Sequence, residues 1–255
     1  MNIDCVHLAL ALIAVGVMIL AVLCCIRPEP LNRQEKMTAA FPWHSNVGKF
    51  LYINLPERAD RRQHMESVLL KHLALPAESV ERVEAVRDSP GYRGCAKSHL
   101  RAIQLAIDRG YDYVCVMEDD FLPLLEADKF HAAIQAAWDN LAGDFDMIML
   151  AMTPIHLRRC QMDPLFRIDT CLAMPGYIVS KRFMPTLKSI AEQAIQTQQP
   201  IDLITQSYQT RSHWYGFFPP LARQMPGYSD IEQRHTDYAY LEVQGQMLKF
   251  SDSTQ

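Results

Sequence analysis

"YVCVMEDDF" spans Tyr113 to Phe121: a β-prone apolar run passes straight into Glu118, Asp119 and Asp120, and apolar character returns at once. Such a run, bounded by turn signals, reads as a strand bound for the core. Three carboxylates within a few ångströms repel one another unless their pKa values rise or a cation neutralises them. Two readings stand. One is a solvated acidic turn that caps the next helix, and the other is a cation site.

The flanking sequence supplies the frame. "KFLYINL" (Lys49–Leu55) is a short β run ended by Pro56, and Asp60 to Leu73 sets Met65, Val68, Leu69 and Leu73 on one helical face. "VERVEAV" (Val80–Val86) reads as a strand, Cys95–Arg109 as a helix stopped by Gly110, and Phe130–Leu141 as another helix. "FDMIMLAM" and "CLAMPGYIVS" read as strands, with helices over Lys181–Gln198 and Asp202–Tyr208 after them. Alternation of this kind predicts right-handed crossovers and a mainly parallel sheet covered on both faces. "HWYGFFPPLARQ" is extended and aromatic; Trp214, Tyr215, Phe217 and Phe218 either offer stacking faces to a ligand or build core.

Composition bounds the rest. The 255 residues are 49% hydrophobic and 21% charged with a net charge of -4, a globular balance with no Lys/Arg block to suit a nucleic-acid partner. Leu8 to Ile26 is an unbroken apolar run of about the length that crosses a bilayer as a helix, and is longer than the apolar region of a cleaved signal. The expectation is a single-pass anchor at 8–26, a Pro-bearing tether at 27–47 and one α/β domain at 48–255. Arg27, Arg33 and Lys36 follow the run and none precedes it, a bias that leaves the domain in the cytosol, while a lumenal placement stays open. Cys95, Cys115, Cys160 and Cys171 show no CxxC spacing, so a structural zinc site is not expected; Cys160 and Cys171 either pair or stay free.

In an open α/β sheet, ligands bind beyond the carboxyl ends of the strands, where Glu118, Asp119 and Asp120 stand. A hard divalent ion takes oxygen ligands from one or two carboxylates and fills its other positions with phosphate oxygens and water. Held so, it grips a nucleotide diphosphate and stabilises it as a leaving group.

"YINLPERADRR", "GCAKSHLRAI", "YDYVCVMEDDF", "GYIVSKRF", "QPID" and "PPLARQMPGYSDIE" fall in an order that resembles glycosyltransferase family 25, which includes lipooligosaccharide and collagen galactosyltransferases and relatives in large DNA viruses. The resemblance covers about residues 49–235. It implies a GT-A-like, Rossmann-related fold and transfer of a hexose, galactose or glucose, from a UDP-sugar donor to a hydroxyl acceptor on a glycan, glycolipid or protein. Glu118, Asp119 and Asp120 match the acidic motif that stands for the DxD of GT-A enzymes, so Asp120 with Glu118 or Asp119 would ligate Mn²⁺ or a similar ion. Asn54, Arg58 and Arg61 or Arg62 match the donor-side motif; the arginines either meet phosphate or ribose oxygens or form a surface cluster. Ser98 and His99 match "GC-x-x-SH", with His99 either on donor phosphate or satisfied in the core. Asp202 matches the acidic residue of the Pro-x-Asp stretch, either as general base of an inverting transfer or as a helix cap. Gln224, Ser229 and Asp230 match the "Q…SDI" ending; Asp230 either completes the metal or donor site or fixes a loop. Met174-Pro175 departs from the pattern where a small polar residue is expected. An inactive relative serving as a binding module is the alternative of a different class, and a nucleotidyltransferase is a third, disfavoured by the lack of a Gly-rich phosphate loop.

Overall fold

Leu51 and Ile53 on one strand, Val114 and Val116 on another, and Met147 and Met149 on a third pack in one hydrophobic layer, while their alternate neighbours pack in another. That period-two division organises the computed structural model, which describes residues 36, 41–160, 162, 164–229, 231–237 and 248–252. The elements in order are α1 (Trp43–Asn46), β1 (Lys49–Asn54), α2 (Ala59–Glu66) continued by a π-helical stretch (Ser67–His72), β2 (Val80–Glu84) and α3 (Gly91–Asp108). After them come β3 (Tyr113–Glu118), β4 (Phe121–Pro123), α4 (Ala127–Leu141), β5 (Met147–Arg159), β6 (Leu165–Ser180), α5 (Met184–Thr197) and α6 (Ile201–Gln209). Short strands β7 (Trp214–Phe217), β8 (Ala222–Gln224), β9 (Gly227–Ser229), β10 (Arg234–Thr236) and β11 (Lys249–Ser251) complete the described chain.

The main sheet has seven strands in the order β11-β5-β7-β6-β3-β1-β2. β1 pairs in parallel with β2 and β3, and β5 with β7 and β11. β6 runs antiparallel to β3, β5 and β7. The fold is therefore mixed α/β and Rossmann-like, with a mostly parallel sheet flanked by helices. β5 and β6 form a long hairpin that bends: the start of β5 borders β7 at Met147–Met149, and the start of β6 borders it at Leu165–Arg167. β7 thus lies in a slot between two arms of one hairpin. Register shifts in β5 between Met149 and Leu157 mark the bend.

Helix burial follows the sequence pattern. Ala96, His99, Ala102, Ile103 and Ala106 make the inner stripe of α3, which packs with α5 on the layer of Leu51, Val114 and Met147. Met65 and Leu69 after β1, and Phe130, Ile134 and Ala137 of α4, cover the opposite face with Phe50, Tyr52, Cys115 and Met117. Full burial of each such side chain contributes about 1.5–3 kcal/mol. Gly110, at φ +67°, ends α3 as the pattern predicts.

Several expectations change. The helix placed at Cys95–Arg109 begins four residues earlier, and the strands placed at Phe145–Met152 and from Cys171 extend to Arg159 and back to Leu165. Trp43 to Asn46, in the stretch read as tether, form α1; Trp43 is 1% exposed and donates its backbone N–H to Gln135 Oε1 of α4. The single-pass membrane placement is corrected: among the described residues no helix is long and apolar enough to cross a membrane. Residues 8–26, on which that placement rested, lie outside the described residues. Cys95, Cys115, Cys160 and Cys171 are free thiols.

Candidate functional site

β3 ends at Glu118 and a turn at Asp119 and Asp120 follows, so the three carboxylates leave the strand end toward different partners. Val114 and Val116 face α3, and Glu118, two residues on, reaches the same side: His99 Nε2 lies 3.2 Å and Cys95 Sγ 4.0 Å from Glu118 Oε1. Cys115 and Met117 face α2, and Asp119 continues that side. Its Oδ1 accepts from Arg61 Nη1 at 2.8 Å and its Oδ2 from Asn54 Nδ2 at 2.8 Å. Arg61 also donates to the Tyr228 carbonyl at 2.8 Å, and Arg82 Nε to Asn54 Oδ1 at 2.9 Å, so this network ties β1, β2, α2, β3 and β9 together. Burial still pushes the Asp119 carboxyl upward against the pull of Arg61.

Asp120 is handled differently. Its backbone carbonyl is fixed by Met225 N–H at 2.6 Å, and Phe121 pairs with Gln224 in the small β4–β8 ribbon. Its carboxylate has only long contacts: Oδ2 is 3.4 Å from Gln224 Nε2 and 3.6 Å from Arg61 Nη1, and buried Oδ1 has no hydrogen-bond partner. Burial first, then the Glu118 charge, push this carboxyl up to about 8. A buried carboxylate in that state takes up a proton or a cation.

These groups line a cavity of about 760 Å³ at the carboxyl ends of β1 and β3, with Arg61, His99 and Gln224 on its wall. Asp202, in the first turn of α6, lines it from the other side. Asp202 Oδ2 accepts from Ala173 N at 3.1 Å and Oδ1 from Leu203 N at 3.0 Å. Ala173 sits at φ +59°, a strained conformation for a residue with a Cβ, and Asp202 helps to hold it there. The half-buried Cys95 thiol is pushed well up by desolvation and then by the charges of Glu118, Asp202 and Asp120, all three of which line the same cavity. Gly94 makes the α3 entry possible, since a Cβ there would lie 2.5 Å from the Val86 carbonyl oxygen.

The other sequence candidates divide. Arg58 pairs with Asp60 and Arg62 with Glu66, and neither lines the cavity; of the three arginines Arg61 alone does. Ser98 lines the wall but its hydroxyl accepts from Val86 N and donates to Gly94 O, which fixes the loop before α3. His99 Nδ1 meets the Tyr177 hydroxyl at 2.9 Å, so this ring is both hydrogen-bonded in the core and on the cavity wall. Asp230 lies outside the described residues. Trp214 and Phe217 are core, Tyr215 stacks under Arg167, and Phe218 reaches the cavity. Arg82 and Cys95 escaped the sequence reading. Cys95 carried a signal, standing one helical turn before His99, whereas nothing in the sequence pairs Arg82 with Asn54.

No family model and no curated protein matches the chain, so the family-25 resemblance rests on its motifs. Solved structures of similar shape include a glycosyltransferase involved in the glycosylation of the major capsid of PBCV-1, at 11% identity over 76% of this chain and 98% of that one, with a TM-score of 0.47. A197 from STIV gives 11%, 73% and 92% with 0.43, and UDP-glucose pyrophosphorylase complexed with UDP-glucose 9%, 67% and 90% with 0.39. At TM-scores of 0.39–0.47 none of them transfers a residue role to this chain.

Proposed function

We propose that this chain is a metal-dependent, inverting glycosyltransferase of the family-25 type, moving galactose or glucose from a UDP-sugar to a hydroxyl acceptor. The observation that carries the reading is the unpartnered, buried Oδ1 of Asp120, set beside Glu118 in a cavity of about 760 Å³ at the sheet's carboxyl edge. That oxygen and the oxygen-rich donor set fit Mn²⁺ or a similar hard cation, with Asp120 and Glu118 as the residues that would hold it. When bound, such an ion offsets charge on a leaving diphosphate.

The remaining roles belong to side chains. Asp119 is committed to Arg61 and Asn54, so its part is to fix Arg61 at the donor side of the cavity. Arg61 and Gln224 supply donors toward phosphate or ribose oxygens. Asp202 takes the acceptor hydroxyl proton as the acceptor oxygen attacks the anomeric carbon on the face opposite the diphosphate. Each Asp202 oxygen accepts one hydrogen bond and keeps a lone pair for that proton.

The test is UDP release from UDP-galactose and UDP-glucose with Mn²⁺ and with EDTA. Turnover should vanish with EDTA and in Asp120→Ala of native circular dichroism; metal-independent turnover overturns the reading. Asp202→Asn should abolish transfer with UDP affinity retained. Absence of any metal-dependent nucleotide binding would favour the inactive binding module.

A further inference from the structure

The cavity wall carries a donor set of a softer kind. Cys95 and His99 stand four residues apart on α3, so one helical turn places both on the same face, opposite the end of β3 at Glu118. One ligand atom from each of Cys95, His99 and Glu118 lies within 4.8 Å of the other two. Zinc bonds of roughly 2.0–2.3 Å in a tetrahedron hold their donor atoms about 3.3–3.8 Å apart. Closing this set on an ion therefore needs shifts of about 1 Å at its widest pair. Two distances are already close, at 3.2 Å from His99 Nε2 and 4.0 Å from Cys95 Sγ to Glu118 Oε1.

The surroundings match the chemistry. His99 Nδ1 is held by the Tyr177 hydroxyl at 2.9 Å, the outer hydrogen bond that orients a metal-bound imidazole. Thiolate and imidazole select zinc over magnesium or manganese. The three side chains leave a fourth position toward the cavity they line, as in zinc sites with an exchangeable ligand.

We propose that Cys95, His99 and Glu118 form a binding site for a thiophilic divalent cation of the zinc class. Binding forms a metal–sulfur bond, breaks the Cys95 S–H bond and releases that proton to solvent, with no change of oxidation state. Glu118 is shared with the hard-cation position of the transferase reading, so on that reading zinc competes for it and lowers Mn²⁺-supported turnover. The binding itself stands apart from that reading.

The experiment is a titration of the full chain with Co²⁺, without nucleotide, read as sulfur-to-cobalt charge transfer in the near ultraviolet and tetrahedral bands in the visible. Wild-type protein should show both, bleached by an equivalent of Zn²⁺ and unmoved by excess Mg²⁺. Cys95→Ser, with Cys115, Cys160 and Cys171 intact, should lose the charge-transfer band, and Tyr177→Phe should bind about 10-fold more weakly. A silent wild-type titration, or a band that survives in Cys95→Ser, overturns the site. Should Cys95→Ser lose native circular dichroism, Cys95→Ala is read in the same way, and the wild-type titration decides regardless of variants. Because no sugar nucleotide is present, a failed transferase assay leaves this result intact.

Discussion

Asp119 and Asp120, adjacent in the turn after β3, are treated in opposite ways. Asp119 and Asp120 are each 8% exposed. On the α2 side Asp119 has a guanidinium and an amide at hydrogen-bond distance, and the network spans five elements. Toward β8 Asp120 keeps an oxygen without a partner, with the charge of a second carboxylate close by. Equal burial therefore does not mean equal function. A paired buried carboxylate is part of the frame, and an unpaired one is left with its charge uncompensated.

The strongest way to break this contrast is to remove the cation from the paired side. Arg61→Ala leaves Asp119 buried with an uncompensated charge and should lower stability by about 3–5 kcal/mol, measured by urea denaturation at neutral pH. If the loss is no larger than for a surface arginine, Asp119 is not the framework group described.

A second comparison comes from a region away from the cavity. His44 Nε2 and His131 Nδ1 lie 2.8 Å apart beneath Trp43, and His131 Nε2 meets the Leu73 carbonyl. Burial lowers His44 to about 3 and His131 to about 4, so both are neutral when folded. Unfolded histidines titrate near 6.5, and the unfolded chain therefore binds more protons below that value. The stability these neutral rings contribute is present above about pH 6.5 and is lost as pH falls toward 4, by several kcal/mol for the two rings together. A denaturation series across that window should show the slope, and His131→Phe should flatten it.

On the unpaired side the sign reverses. The raised folded pKa of Asp120 means that its ionised form costs stability, a cost that grows as pH rises from about 4 toward 8. Asp120→Asn should raise the metal-free stability at pH 7 by about 1 kcal/mol and remove any Mn²⁺-induced stabilisation, both read by thermal melting. A destabilised Asp120→Asn would show that the carboxylate is structural after all. The smallest effect sharpens the choice among arginines: Arg62→Ala, on an exposed pair with Glu66, should leave both the melting midpoint and UDP affinity unmoved.

Much of the frame was legible because β1, β3 and the core of β5 carry continuous apolar runs with Pro or Gly nearby, and α3 and α4 carry clean apolar stripes. β4 and β8 to β11 span three residues each, too few for any period to show, and β4, β8 and β11 pair with strands distant in sequence. β6 was shortened by the polar residues of "FRIDT", which lie on a hairpin arm that bends away from the central sheet. At the site, the acidic triplet was visible, but the division of labour inside it was not. It depends on which helix covers which face of β3, a matter of topology. Among Arg58, Arg61 and Arg62, only the rotation of α2 picks the one that faces inward.

The slot occupied by β7 has a consequence for any shortened version of the chain. Trp214 to Phe217 supply ladder partners to both Met147–Met149 and Leu165–Arg167. A polypeptide stopped before Trp214 would keep the whole acidic triplet and Asp202 yet open two raw strand edges in mid-sheet, each a template for pairing with another molecule. Trimming back past Trp214 would yield aggregates while Glu118, Asp119, Asp120 and Asp202 all remained in the chain.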